Sequence, residues 1–299
     1  MLVKKIDIHT HVVLKKGTPR FYSAKLGDFL TPEETFRFFE LQGIEKGVQL
    51  PFISPEWGCH TMTNEEAMEL TALYPDRFAW FCNVDPRNII NDVDADFTPM
   101  LEWYKSHGAK GIVELTSNLY FDEPLVWNLF RHAEKCEMPI LFHIGNKGRD
   151  YGLVDDLGLP RLEKSLKEFP NLIFIGHSQK YWAEISGDCT AEVRDGYPTG
   201  PVVPGGRVVE LMRKYPNLHS DMSAGSGGNA IMRDPEFGYK FIEEFQDRLY
   251  FGTDICHPDQ MEDDFKLSFF LDDAVESGKI SQAAYNKVCR ENALKLLNK

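Results

Sequence analysis

The 299-residue sequence predicts an α/β protein built as a (β/α)8 TIM barrel with elaborated strand-to-helix loops. Three observations carry that expectation. Short β-rich apolar runs alternate with amphipathic stretches, which implies parallel strand pairing. The helix-to-strand turns are all short. Several strand-to-helix connections are long, at residues 12–30, 53–63, 144–160, 178–207 and 223–238. Long loops on one rim and short ones on the other divide an active-site face from a stability face. An open doubly wound sheet shares the alternation, but no G-x-G-x-x-G follows the first strand. One domain over residues 1–299 is expected.

The elements follow in order. An opening strand, Lys4–Thr10, precedes a helix at Glu33–Leu41 and a strand at Gly47–Phe52. Helix Asn64–Leu73 turns through Tyr74-Pro75-Asp76 into strand Arg77–Val84. Helix Thr98–Lys105 turns through His107-Gly108 into Ala109–Leu115. Helix Leu125–Lys135 reaches Ile140–His143 through Met138-Pro139. Helix Leu162–Phe169 reaches Leu172–His177 through Pro170-Asn171. Helix Val208–Lys214 precedes Leu218–Met222, and helix Tyr239–Phe245 precedes Arg248–Asp254. A helical region at Ser281–Leu297 closes the chain. Stripes such as Phe36/Phe39 and Leu162/Leu166/Phe169 read as helix faces packed on the barrel. Gly225–Gly228 lacks the phosphate-loop pattern and reads as a flexible rim loop.

Composition narrows the function. Lys plus Arg is 33 and Asp plus Glu is 46, so the net charge is 33 − 46 = −13. A surface this acidic repels nucleic acid and anionic lipid. No apolar run approaches the ~20 residues of a membrane span. Asp7 interrupts the N-terminal apolar stretch before a signal peptide could form. Six cysteines, among them Cys59, Cys136 and Cys256, form no C-x-x-C pair and read as reduced thiols. A cytoplasmic enzyme acting on a small-molecule substrate is the expectation.

The chemistry gathers at strand ends. In Asp7-Ile8-His9-Thr10-His11, alternate residues share a face, so His9 and His11 can share one metal ion. Asp7, one step deeper, could orient a ligand or reach the metal. His143, His177 and Asp254 each close an apolar run, where a barrel strand reaches its active-site rim. His257, just beyond Asp254, either borders the same rim as a further metal or substrate contact or is an ordinary loop histidine. Tyr181 and Trp182 read mainly as core. Arg20, Lys147 and Arg149 are rim-loop cations that read singly as solvated surface and could together hold a substrate carboxylate. His60, His107, His132 and His219 read as structural.

These residues make the sequence similar to the amidohydrolase superfamily, in the amidohydrolase-related (amidohydrolase 2) family. Its aminocarboxymuconate-semialdehyde decarboxylase-like branch is the one it most resembles. The carriers are Asp7–His11, His143, Gly176-His177, Gly252-Thr253-Asp254 and Glu291–Leu297, with echoes at Gly108–Ile112 and Asp221-Met222-Ser223. The resemblance implies His9, His11, His143 and Asp254 around one divalent metal, usually zinc, with manganese as an alternative. It implies His177 as a catalytic group, or as a ligand of a second metal in dinuclear relatives. Those relatives carry a bridging carboxylated lysine at the end of strand four. Here Lys110 lies too early, and Glu114 is the candidate carboxylate at that place, either bridging, binding substrate or buried and paired. Homodimers are common in this branch.

Two chemistries suit these parts. In hydrolysis of an amide, ester or lactone, the metal activates a water, Asp254 takes its proton, and His177 stabilises developing charge. In a non-oxidative decarboxylation, the metal anchors an aromatic or enoic acid. Many decarboxylases of the branch carry Gly-His-x-Gly-Glu at strand six. Here Gly176-His177-Ser178-Gln179-Lys180 stands there, which favours hydrolysis. A barrel that binds a ligand without turnover is the third reading.

Overall fold

The structure, a computed structural model, describes residues 1–20, 27–56, 60–261 and 266–298, without the side chains of residues 19, 20, 27 and 261. The Arg20 side chain and Cys59 therefore lie outside the described residues. Eight strands run parallel in chain order: β1 (Lys5–Thr10), β2 (Ile44–Gln49), β3 (Phe78–Cys82), β4 (Ala109–Leu115), β5 (Ile140–Gly145), β6 (Phe174–His177), β7 (Leu218–Asp221) and β8 (Leu249–Tyr250). Main-chain bonds close the ring. The Ile8 N–H donates to the Phe251 carbonyl (3.1 Å), Asp254 to His9 (2.9 Å) and His11 to Ile255 (2.9 Å). Leu153–Val154 adds a short ninth strand beside β5, and Pro19–Arg20 pairs with Gly27–Asp28 in a separate ribbon.

The helices are α1 (Pro32–Gln42), α2 (Asn64–Leu73), α3 (Thr98–Ser106), α4 (Pro124–Lys135), α5 (Pro160–Glu168), α6 (Gln179–Ala183), α7 (Arg207–Lys214), α8 (Ala224–Met232), α9 (Pro235–Phe245), α10 (Lys266–Glu276), α11 (Gln282–Asn286) and α12 (Asn292–Leu297). A π-helical turn, Lys287–Glu291, joins the last two. The start of α2 is a reciprocal cap. Glu66 N–H donates to Thr63 Oγ1 at 3.1 Å, and Thr63 N–H donates to Glu66 Oε2 at 2.7 Å. None of the helices among the described residues is long and apolar enough to cross a membrane.

Two large clusters make up most of the core. One cluster joins Ile6, Ile8, Val48, Leu50, Phe81, Val113, Leu141, Ile175 and Tyr250 to Ala293, Leu296 and Leu297. It draws on strands around the ring and on no helix before α12, so it is the barrel interior, floored by the last helix. The larger cluster packs outward-facing strand residues such as Trp80, Ile140 and Phe174 against the surrounding helices.

Three expectations change. Residues 223–238 are not a flexible loop: α8 occupies 224–232. Its Ala-Gly-Ser-Gly-Gly opening has poor helix propensity, but Ser226, Gly227, Gly228, Ala230 and Ile231 are buried, and tertiary packing overrides propensity. The 178–207 connection opens with α6, where Ser178 Oγ accepts the Tyr181 N–H at 3.3 Å. The last strand is shorter than Arg248–Asp254. Beyond Tyr250 the Phe251 N–H turns to the Val288 carbonyl, and Asp254 adopts φ 59°, so the regular ladder stops.

Glu163 on α5 ties down α7. It accepts bonds from Lys214 Nζ (2.7 Å), Tyr215 Oη (3.0 Å) and Arg207. The Lys214 bond, with Tyr215 and Arg207 behind it, outweighs partial burial and lowers its pKa from 4.5 to about 2. A lowered carboxyl pKa adds stability above the unfolded value and loses it as pH falls through the folded one. Glu163→Gln should therefore destabilise the protein at pH 7. The gap between variant and wild type should close between pH 4.5 and 2, as read by denaturant unfolding at a series of pH values.

Candidate active site

A cavity of about 890 Å³ opens at the C-terminal ends of the strands, and its floor is charged. His9 and His11 bring their Nε2 atoms to 3.0 Å of each other. Two ring nitrogens this close cannot both carry protons comfortably, and they suit a shared cation. Asp254 Oδ1 lies 3.5 Å from His9 Nε2 and 3.3 Å from His11 Nε2.

Glu114, from β4, reaches the same floor. Its Oε1 is 2.5 Å from His143 Nδ1 and 3.9 Å from His177 Nε2. Its Oε2 is 3.6 Å from His9 Nε2 and 3.8 Å from His11 Nε2. Six of the residues singled out in the sequence thus meet in one place: His9, His11, Glu114, His143, His177 and Asp254. Their donor atoms fall into triplets suited to a metal ion, His9–His11–Asp254 and Glu114–His143–His177, each within 4.8 Å. Imidazoles and carboxylates in such triplets fit a divalent first-row ion.

Asp7 and His257 stand apart from this group. The Asp7 carboxylate accepts the backbone N–H of His9 (2.9 Å) and Thr253 (3.0 Å), and also the Thr253 hydroxyl. Its partners join β1 to the chain after β8. Burial outweighs those bonds and raises its pKa to about 7. His257 is half-buried and its Nδ1 has no hydrogen-bond partner among the described residues; its neighbours Cys256 and Gln260 line the cavity. Trp182 and Tyr181 are buried beneath the site, donating to the Asp221 carbonyl and bonding Ser220. Lys147 donates to the Asn118 carbonyl, away from the cavity lining.

Sequence reasoning counted Asp221 only within a family echo and gave it no role behind the histidines. Asp221 ends β7, fully buried. Its Oδ2 lies 2.7 Å from His9 Nδ1 and 3.1 Å from His177 Nδ1, and it accepts the Ser223 hydroxyl at 2.5 Å. In a neutral ring the Nδ1 proton then goes to Asp221, and Nε2 presents a lone pair toward the floor. The available signal was its place: Asp221 closes Leu-His-Ser-Asp as His177 closes β6. Gly252 makes the approach possible, because a Cβ there would lie 2.7 Å from Asp221 Oδ1.

The charges support one another. Burial alone would strip the proton from His9; Asp254 and Asp221 outweigh it and hold its pKa well above the ordinary value. Burial would raise Glu114 and Asp221, yet the histidines hold both carboxyls low: His143 and His9 for Glu114, His9 and His177 for Asp221. Asp254 is held low in the same way by His9 and His11. A donor set that is anionic and already cation-compensated is one a metal can enter by displacing protons.

The fold and this floor match known proteins. The profile of the family described as Amidohydrolase matches residues 6–299. This chain belongs to the amidohydrolase family. As such it is an enzyme of the amidohydrolase superfamily. No curated protein matches this amidohydrolase. Among solved structures, an uncharacterized TIM-barrel protein from Bordetella bronchiseptica is similar at TM-score 0.66 and 16% identity, over 99% of both chains. The 2,6-dihydroxybenzoate decarboxylase from Rhizobium is similar at 0.61 and 19%, again over 99% of both. A probable 2-pyrone-4,6-dicarboxylic acid hydrolase from Acinetobacter baumannii is similar at 0.60 and 14%, over 99% of this chain and 100% of that one. Identities this low show the shared fold.

His143 is seated by a tight return loop. Tyr151 packs on its ring at 4.5 Å between centroids, and Phe52 meets Tyr151 edge-on. Gly152 (φ +109°) lets that loop close, since a Cβ would lie 2.9 Å from the His143 carbonyl and 2.8 Å from Gly145 N. Gly152→Ala should therefore cost about 1–3 kcal/mol, visible as a lower unfolding midpoint.

Proposed function

We propose that this chain is a metal-dependent hydrolase of a small-molecule amide, ester or lactone. The observation that carries the reading is Glu114. One of its oxygens faces His143 and His177, and the other faces His9 and His11. A carboxylate set between two ligand triplets is where two ions could be held side by side. His9, His11 and Asp254 would hold one. Glu114, His143 and His177 would hold the other, either zinc or manganese. A divalent ion there polarises a carbonyl and lowers the pKa of water toward ~7.

The chain's own groups divide the remaining work. Asp254 is the one carboxylate of the floor with a partly exposed side chain, at 28%, against 4% for Glu114 and 0% for Asp221. It is placed to take a proton from water and return it to the leaving group. Asp221 and Ser223 hold the Nδ1 edge of His177, so its Nε2 faces the floor. The neutral ring serves as a ligand there. It can donate to a developing oxyanion only when doubly protonated. Phe52 and Tyr151 give the cavity an apolar wall beside His11 and His143.

Decarboxylation is the second reading. It is favoured by the similarity in fold to a 2,6-dihydroxybenzoate decarboxylase. One set of measurements separates the two. Zinc- or manganese-loaded protein should cleave members of a library of esters, lactones and amides and release no CO2 from aromatic acids. The reverse pattern would replace the first reading with the second. Metal analysis should find about two ions per chain. His177→Ala and Glu114→Gln should each lower this toward one. A wild-type value of one that His177→Ala leaves unchanged would remove the second position. Asp221→Asn should weaken metal binding by about 10- to 100-fold, measured by competition with a chelator.

A further inference from the structure

Part of the cavity wall comes from residues 190–200, between α6 and α7, a stretch that is neither helix nor strand. It presents Tyr197, which lines the cavity and is 50% exposed. The Tyr197 ring lies against Gly225 of α8, 3.4 Å from where a Cβ would stand. Its Oη accepts a hydrogen bond from Gln179 Nε2 at 3.1 Å. A phenol that accepts still has its own O–H to donate, and no described residue receives it. Gln179 lies two residues after His177. Gly225 lies two residues after Ser223, whose hydroxyl is 3.1 Å from His177 Nδ1. The free donor therefore stands on the His177 side of the charged floor.

The residues flanking Tyr197 are fixed from both sides. Arg194 is 4% exposed. Its Nη1 donates to the Asp155 carbonyl at 2.8 Å, and its Nε lies 2.6 Å from Glu184 Oε1. Glu184 Oε2 accepts the Gly158 N–H at 2.8 Å, and the Asp155 carboxylate accepts the Leu162 N–H at 2.8 Å. Asp195 pairs with Lys180 at 2.5 Å and accepts from Asn146 at 3.1 Å. Beyond Tyr197, Asn229 donates to the Pro198 carbonyl at 2.9 Å and Arg233 to the Gly200 carbonyl at 3.0 Å. A buried guanidinium costs desolvation energy that only good pairing offsets. Here it joins the two segments that carry aromatic wall residues, 144–160 with Tyr151 and 190–200 with Tyr197.

We propose that the Tyr197 hydroxyl is a specificity-determining donor to the substrate, and that Arg194 is the positioning residue that holds it in the wall. The proposal rests on the hydrolase reading for the place of the reacting bond. It adds one requirement: the substrate carries a hydrogen-bond acceptor, such as a keto, amide or hydroxyl oxygen, away from that bond. Gln179 fixes the phenol oxygen and leaves the hydrogen free to turn toward such an acceptor. Arg194 touches no substrate, because it is buried behind the wall between Asp155 and Glu184.

Benzohydroxamic acids chelate zinc and so anchor a ring above the floor. Members with an acetyl group at the 3- or 4-position are compared with isopropenyl analogues, which match the shape and lack the acceptor oxygen. In calorimetric titration of zinc-loaded wild type, one acetyl isomer should bind about tenfold tighter than its analogue. Tyr197→Phe should erase that preference and leave the isopropenyl affinity unchanged. Arg194→Met should erase it too, and the double variant should lose nothing further, because both changes act through one hydroxyl. Hydrogen exchange over residues 190–200 should rise at least about tenfold in Arg194→Met and stay at the wild-type rate in Tyr197→Phe. Arg194→Lys keeps the charge beside Glu184 but not the forked donor, so it should fall between wild type and Arg194→Met, and it carries the comparison if Arg194→Met does not fold. Equal affinities within each pair for wild type, or a preference that survives Tyr197→Phe, would overturn the proposal. Unchanged exchange and preference in the Arg194 variants would overturn the role of Arg194. Zinc content of the same samples separates the two readings: zinc uptake without the preference defeats this proposal alone, and no zinc uptake defeats the hydrolase reading and the proposal with it.

Discussion

The site depends on the closure of the barrel between its first strand and the chain after its last. His9 and His11 come from residues near the start, and Asp254 from nearly 250 positions later. The His9 carbonyl accepts the Asp254 N–H, and Asp7 accepts two bonds from Thr253. Those bonds set the spacing of the first ligand triplet. A slip of one residue in that register would turn a ligand to the other face. Bringing such distant segments together costs chain entropy, which the enclosed apolar interior offsets.

Charge compensation is the second constraint. Glu114, Asp221 and Asp254 are buried near one another, where unpaired anions would be expensive. Histidines separate them. Each carboxylate keeps its charge because a ring nitrogen stands beside it; the Nδ1 atoms of His9, His143 and His177 each meet a carboxylate, and that of His11 meets the Leu50 carbonyl at 2.9 Å. Removing one member leaves its neighbours uncompensated, so the cluster acts as a unit. Unusual backbone lies at the same rim: Ser178, Ala224 and Asp254, just beyond β6, β7 and β8, all have positive φ. Such strain gathers where the surrounding structure holds functional groups in place.

Much of this was legible in the sequence. His143, His177 and Asp254 announced themselves as ionisable residues closing apolar runs, although β5 runs on to Gly145 and β8 stops at Tyr250. Helix α2 lies over Asn64–Leu73, as the amphipathic stretch predicts, and the short Pro-marked turns located the stability face. Other features were hidden for physical reasons. Asp221 closes a strand of Leu, His and Ser whose apolar signal is weak. Helix α8 begins with residues that prefer loops, so only packing against neighbouring elements makes it helical. Tyr151 reaches His143 through a loop whose closure depends on backbone geometry at Gly152. Glu114 stood between bridging and buried pairing because a one-residue irregularity in β4 decides which way a side chain points.

The floor of the barrel has a consequence for how the protein is made. Ala293, Leu296 and Leu297 complete the interior, and the Val288 carbonyl receives Phe251. A ribosome must therefore have synthesised almost the whole described chain before the inner core can be sealed. Until then the nascent strands expose their apolar interior and their imidazoles to solvent or to a chaperone. A premature stop or frameshift between the codons for Val288 and Leu297 would thus produce chains that stay open, although every residue of the charged floor had already been translated.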